Sequence, residues 1–517
     1  MPENPDPADA ALAALASLPP ADMRTRLPEI FAAIDAATEE TAPLVASLAN
    51  KVFEGDDGLA LLRHPDCLPF ALRGLDHADP QVRSFTIVQL QRLTAAENDL
   101  RLLADRGVLG RIASAVGDDA LKVAERASGF FAACAAAGEA PLTIVLAEAQ
   151  TLDALRQLCS QQKSGSVIEL RVFALFASLA AAGEAQFAIV EARRLLAPLV
   201  ALWRGDDPLV RLNAVELLGT LAGSRVGVAW LESSGVLTEL CASLEIPVGE
   251  DPMEDLQRPA VLSCLATILE AGDLAAHKNI IGSLRLVQRL WPMLTLSTPQ
   301  EQLCAALAAL RAAAATPTGM AAILHLNAGG GSPGALASML TAHDERTRVS
   351  AMCVTSQLAS TYASATTGVT GGGASDGMQQ DDEATAALGE SLVKLVGACS
   401  PSATTTPADA IANMGRSLSD ELRIAALTLL EALAGVQWGA SELGASEGVL
   451  ELLLTGETVH TVPASELRLK HSIAAALVRW PNALDETSSK ALKAYVNAGP
   501  FAVQRPREAR AAAPLTL

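Results

Sequence analysis

Aromatic residues make up only 3% of this 517-residue chain, and basic residues are outnumbered, 38 against 58 acidic, for a formal net charge of -20. So few Lys and Arg argue against a nucleic-acid ligand, whose phosphates need clustered positive charge, and against an anionic membrane surface. A basic protein partner is compatible with the acidic balance, and so is a merely solvated surface. No run of about eighteen apolar residues occurs, so no segment reads as a membrane-spanning helix. The opening MPENPDPADA lacks the basic and apolar regions of a signal peptide. The eight cysteines, Cys67, Cys134, Cys159, Cys241, Cys264, Cys304, Cys353 and Cys399, show neither a C-x-x-C pair nor zinc-finger spacing. Scattered through apolar helical faces, they read as small hydrophobes in a reducing compartment. The expectation is a soluble intracellular protein of the cytoplasm, with the nucleus also open.

Catalytic constellations are equally scarce. The histidines His64, His77, His277, His325, His343, His460 and His471 make no H-E-x-x-H or other zinc-ligand spacing. His64-Pro65-Asp66-Cys67 brings a thiol near an imidazole, but in a turn-like context. G-x-S-x-G occurs as text around Ser332 and Ser375, in glycine-rich loops with no strand before them, where a nucleophile elbow has no support. The Gly329 to Gly334 run lacks the G-K-[ST] ending of a phosphate-binding loop. These readings point to a chain that is not an enzyme and needs no cofactor or metal.

What the chain does have is a repeating helical pattern. In Asp206 to Leu244, Asp207-Pro208 supplies an N-cap and a residue suited to the first helical position. Ala214, Leu217, Leu218 and Leu221 recur at helical spacing, and Gly235-Val236-Leu237 separates a second helix from a third. Arg423 is followed by Ala426, Leu429, Leu430 and Leu433 at the offsets seen after Arg211, and Asp79-Pro80-Gln81-Val82-Arg83 repeats Asp207 to Arg211. Gly107-Val108-Leu109 and Gly448-Val449-Leu450 answer Gly235-Val236-Leu237. Weaker copies begin at Lys122, Arg171, Arg258, Arg348 and Arg468, spaced mostly about 39 to 49 residues apart. The longer gap from Arg258 to Arg348 fits two units, the second around Gln302 to Leu310. A three-helix unit of this length cannot bury its apolar face alone, so units must stack. The expected fold is all-α: an armadillo/HEAT-like α-solenoid, a right-handed superhelix of roughly nine or ten units. The arginines of the anchors are expected to pair with acids of their own or neighbouring units.

The organisation expected along the chain is a disordered lead over 1–20, N-terminal capping helices over 21–75 and repeats over 76–360. A flexible Gly/Ser/acidic insertion follows over 361–383, then C-terminal repeats over 384–504 and a tail over 505–517. Trp203, Trp230, Trp291, Trp438 and Trp480 have no Asn four residues on, so the Trp-Asn groove of armadillo import receptors is not expected.

Beyond the repeat class, Asp207 to Leu244 and DELRIAALTLLEALAGVQWGASELGASEGVLELLL (Asp420 to Leu454) resemble the 26S proteasome non-ATPase regulatory subunit 5 family. Trp438-Gly439-Ala440 is similar to a proline-tryptophan-alanine turn of that family. LKHSIAAALVRW and ALKAYVNAGPFAVQ, with the exit Gly499-Pro500-Phe501, resemble its closing helices, and Asp79 to Leu93 matches in place and order. The glycine-rich insertion departs from the family, and the first 50 residues match poorly. The resemblance implies a chaperone for assembly of the proteasome regulatory-particle base. It would hold the C-terminal domain of an ATPase, regulatory subunit 7, in a module with regulatory subunit 4 and non-ATPase regulatory subunit 2. It would then leave before the proteasome is complete. A general armadillo or HEAT scaffold of another complex is the alternative, and a monomer is the default oligomeric state. In armadillo-like units the third helix faces the groove, which makes Arg111, Thr238, Glu239 and Glu451, just after the Gly-Val-Leu openings, the candidate partner-binding residues.

Overall fold

Several helices of the repeats begin where a side chain can accept from the first N–H groups, which lack partners within the helix. In the computed structural model, which describes residues 14–15, 17–35, 40–64, 68–160, 165–328, 334–367, 382–400, 404–454 and 463–501, Asp79 accepts from the backbone N–H groups of Gln81 (2.7 Å) and Val82 (3.4 Å). Asp207 does the same for Leu209 and Val210, and Pro80 and Pro208 occupy first-turn positions where no N–H is needed. Ser166 and Thr406 cap their helices through Glu169 and Asp409. Among the described residues every regular element is helical. The chain is an all-α solenoid, divided into two compact units, Met1–Trp230 and Leu231–Leu517.

In the first unit, α1 (Pro20–Thr25) and α2 (Leu27–Asp35) precede a series of helix triplets. These are α3 (Ala42–Val52), α4 (Gly55–Arg63) and α5 (Leu68–Leu75), then α6 (Pro80–Gln91), α7 (Glu97–Asp105) and α8 (Val108–Ala115). Next come α9 (Leu121–Ala137), α10 (Glu139–Ala147) and α11 (Ala149–Ser160), followed by α12 (Val167–Ala181), α13 (Glu184–Ala192) and α14 (Ala197–Trp203). Then α15 (Pro208–Ala222) leads into α16 (Arg225–Ser233). Like packs on like: the lead helices form the file α6–α9–α12–α15, the second helices α7–α10–α13 and the third helices α5–α8–α11. The core between the files is aliphatic, with Phe130 and Phe131 fully buried edge to face at 5.7 Å. Each fully buried Leu or Phe there is worth roughly 1.5–3 kcal/mol of transfer free energy.

The second unit continues with α17 (Val236–Ser243), α18 (Pro252–Glu270), α19 (Leu274–Lys278) and α20 (Leu286–Leu290). The triplets α21 (Gln300–Ala313), α22 (Pro317–Ala328), α23 (Ala335–Leu340) and α24 (Glu345–Thr367), α25 (Asp382–Gly397), α26 (Pro407–Met414) follow. Then come α27 (Asp420–Ala434), α28 (Gln437–Ala445) and α29 (Glu447–Leu454), and the closing pair α30 (Ala464–Val478) and α31 (Glu486–Ala498). The lead-helix file is α18–α21–α24–α27–α30. Its members approach closely because their contact positions are small: Ala306, Ala351, Ala359, Ala425 and Ala426 are buried. Hydrogen bonds pin successive lead helices at their C-terminal ends, Thr361 Oγ1 to the Ala314 carbonyl at 2.7 Å and Trp480 Nε1 to that of Ala434 at 3.0 Å.

The interval from Arg258 to Arg348 does hold two units, with α21 where the Gln302 to Leu310 stripe lies. Residues 361–367, read as the start of an insertion, are helical. The helix α24 runs on through Thr367, and Asp382 already opens α25. Ser364 and Thr366 satisfy their hydroxyls on carbonyls one turn back, so the polar composition does not stop the helix. Residues 368–381 of that stretch lie outside the described residues, as do most of the lead and the tail.

Candidate partner-binding face

Two kinds of charged pair recur between neighbouring repeats within the units, and they differ in burial. The first belongs to the anchor arginines of the lead helices. Arg83 donates to both carboxylate oxygens of Asp118 at 2.9 Å and to the carbonyls of His77 and Ala78, with the pair only 19% and 12% exposed. Arg423 donates to Glu466 of the next lead helix at 2.8 Å and also reaches Asp420 and the Ser417 carbonyl. Arg211 stacks over Trp203 at 4.8 Å, while Asp207 spends its carboxylate on the helix cap. Arg83 and Arg423 pair with acids of neighbouring repeats, as the anchor pattern leads one to expect, while the contact seen for Arg211 is to an aromatic ring.

The second kind bridges successive third helices, and here the candidate residues appear. Arg111 on α8 donates to Asp76, just past the end of α5, at 2.7 Å. Arg289 on α20 pairs with Glu245, just past the end of α17, at 2.7 Å. Glu451 on α29 meets Arg416, just past the end of α26, at 3.1 Å, with the polarity reversed. The acids are 65%, 63% and 78% exposed. Exposed pairs of this kind are worth about 0–1 kcal/mol, so each contributes little to holding its repeats together. Thr238 is exposed and Glu239 half-buried on α17. The structure therefore puts Arg111 and Glu451 into the same kind of bridge in different units, and Thr238 and Glu239 on the third helix beside the Arg289–Glu245 bridge. Sequence reasoning missed Arg289, because Arg285 stands in the left-handed position (φ 51°) before α20 where Gly107 and Gly235 mark α8 and α17.

Most of the described thiols are buried or half-buried in helical faces. Burial pushes Cys134, Cys241, Cys264 and Cys399 up to about 12 and Cys159 up to about 11, and burial lowers the titration of His277. Among the described residues no three His, Cys, Asp or Glu side chains converge as a metal site would require, and no single helix is long and apolar enough to cross a membrane. Cys67 with Pro65 and Asp66, and the text matches around Ser332 and Ser375, lie outside the described residues.

A family model described as proteasome non-ATPase 26S subunit matches residues 13–352 and 379–515. The chain belongs to this family. The break between the two matched stretches takes in the glycine-rich segment, the part of the sequence that departs from the family. The 26S proteasome non-ATPase regulatory subunit 5 of Mus musculus is 24% identical over 240 residues, 45% of this chain and 45% of that protein. The Homo sapiens protein of the same name is 23% identical over 240 residues, again 45% of each chain. The chain thus spans somewhat under half the length of the curated relatives it matches. Among solved structures, an engineered protein superposes with a TM-score of 0.44 at 15% identity, covering 87% of this chain and 98% of that one. Kap121p also gives 0.44 at 15% identity, covering 93% of this chain and 49% of that one. At these scores the likenesses carry no argument beyond the helix order already described.

Proposed function

We propose that this protein is a non-enzymatic chaperone for assembly of the proteasome regulatory-particle base. On this reading it binds the C-terminal domain of an ATPase, regulatory subunit 7, in a module with regulatory subunit 4 and non-ATPase regulatory subunit 2. It acts as a monomer in the cytoplasm or nucleus and leaves before the proteasome is complete. The observation that carries the reading is the family match over both halves of the chain. The solvent-exposed ion pairs of the third helices support it physically, since stacked repeats offer an extended surface and exposed pairs contribute little to stability. Arg111, Thr238, Glu239 and Glu451 belong to that surface in this proposal. Affinity capture of the tagged chain from cells, followed by sizing of the complexes, tests it. Recovery with base intermediates that lack the core particle is expected. Recovery only with mature capped proteasomes would overturn it.

A further inference from the structure

The repeat that begins at α18 is the irregular one. Its second helix ends in a π-turn over Asn279–Ser283, its third helix starts from a left-handed arginine, and Trp291–Met293 closes it as a 3-10 turn. π-turns inside helices concentrate at functional positions. Between the end of α17 and this 3-10 turn lies a cleft of about 440 Å³, within the size range of small-ligand and peptide pockets. Leu244, Ile246, Val248 and Met293 give it apolar walls, and Arg289 and Glu245 provide its charge. The Ile246 carbonyl is held from below by Nη2 of the fully buried Arg258 at 2.9 Å, which fixes the loop on one side. On the other side Thr298, only 8% exposed, shares a 2.9 Å hydroxyl contact with Thr295, and Ser297 makes another with Thr295.

The arginine is incompletely used. Nη2 of Arg289 meets Glu245 at 2.7 Å, yet its Nη1 is buried with no hydrogen-bond partner. The guanidinium itself is 21% exposed, whereas Glu245 is 63% exposed and so only loosely held. A guanidinium fits a carboxylate through two parallel N–H donors. One whose present acceptor is a solvent-facing side chain, and which leaves a donor unmatched, gains by exchanging that acceptor for a carboxylate seated in the cleft. We infer that this cleft is a binding site for a carboxylate carried on an extended apolar segment of a partner polypeptide, with Arg289 as the recognising residue and Glu245 as its resident competitor. The hydroxyls of Thr295 and Ser297 lie where they can serve the carboxylate or the adjacent peptide. The site stands whether or not the partner is a proteasome subunit.

Calorimetry on the full chain, with the Met293 methyl signal as the local reporter, tests the assignment using three synthetic probes. These are N-acetyl-Ala-Leu-Ala-Leu as the free acid, the same peptide as its C-terminal amide, and N-acetyl-Ala-Leu-Glu-Leu amide. Binding of the free acid but not its amide identifies a chain end as the source of the carboxylate, and binding of the Glu-containing amide identifies a side chain. Arg289→Ala is expected to weaken whichever probe binds by about tenfold or more, and Arg289→Lys by less. Glu245→Ala changes only an exposed side chain and is expected to strengthen binding. The assignment fails if no carboxylate probe shifts Met293, if the neutral amide binds as well as the acids, or if Glu245→Ala weakens binding in a chain that melts as the native one does.

Discussion

Replacing Arg423 by alanine removes a buried charged tie between two successive lead helices. Glu466 is 2% exposed and keeps only Lys470, whose Nζ lies 3.9 Å away. Removing one partner of a buried pair leaves an uncompensated charge and typically costs about 3–5 kcal/mol. Because Arg423 is 16% exposed and Lys470 still faces the Glu466 carboxylate, the lower end, about 3 kcal/mol, is expected here. Glu466→Gln should cost at least as much as Arg423→Ala, since it takes the carboxylate from both Arg423 and the buried Lys470. The double variant should fall short of the sum by about 0.5–3 kcal/mol, the range of coupling for residues in one network. A stack of repeats is close to one-dimensional, so the loss stays local. Hydrogen exchange should fall in protection over 420–434 and 464–478 and stay unchanged over 80–137. Additive single effects, or a uniform loss of protection along the whole chain, would refute both the buried-pair reasoning and the repeat-by-repeat account.

Asp79→Ala should destabilise the start of α6 by about 1 kcal/mol, seen as faster amide exchange at Gln81 and Val82, because it removes the cap of both groups. Asp409 ties α26 to α29 through Ser446 and the Gly448 amide, and the Ser446 and Thr406 hydroxyls hold its titration below the usual carboxylate value. A depressed folded value contributes stability present above the ordinary Asp value, about 4, and lost as pH falls through the folded value. Exchange at Gly448 should therefore quicken on acidification below about pH 4, and Asp409→Asn should flatten that dependence. Cys134, Cys241, Cys264 and Cys399 should resist iodoacetamide at pH 8 in the folded chain and react once it unfolds, as mass spectrometry of the labelled peptides would show, since their thiols titrate near 12.

Much of the fold is legible in the residues because each helix announces itself locally. Asp-Pro caps, Leu/Ala stripes and left-handed glycines sit at fixed offsets, and these local devices are what build α6, α8, α15 and α17. Legibility fails where a device is replaced. Arg285 takes the left-handed position of a glycine, which hides α20 from the Gly-Val-Leu pattern, and Arg194 is the other non-glycine residue with positive φ (54°) among the described residues. The end of α24 was hidden for a different reason. Thr361 is a buried inter-repeat link, whereas composition alone gives it the look of a linker residue. The candidate face was half visible. Arg111 and Glu451 could be named from their offsets, but their partners Asp76 and Arg416 lie one repeat away, and only stacking brings them together. The cleft beside Arg289 needs the same long-range step, since its two walls come from separate repeats.

The most direct test of the proposed role is a titration of the purified full chain with the isolated C-terminal domain of the regulatory subunit 7 ATPase. The account predicts saturable one-to-one binding that weakens when Arg111 and Glu451 are reversed in charge together with Thr238 and Glu239 changed to alanine. Absence of binding, with both proteins shown to be folded, would contradict it and leave the stack of helices to serve another complex.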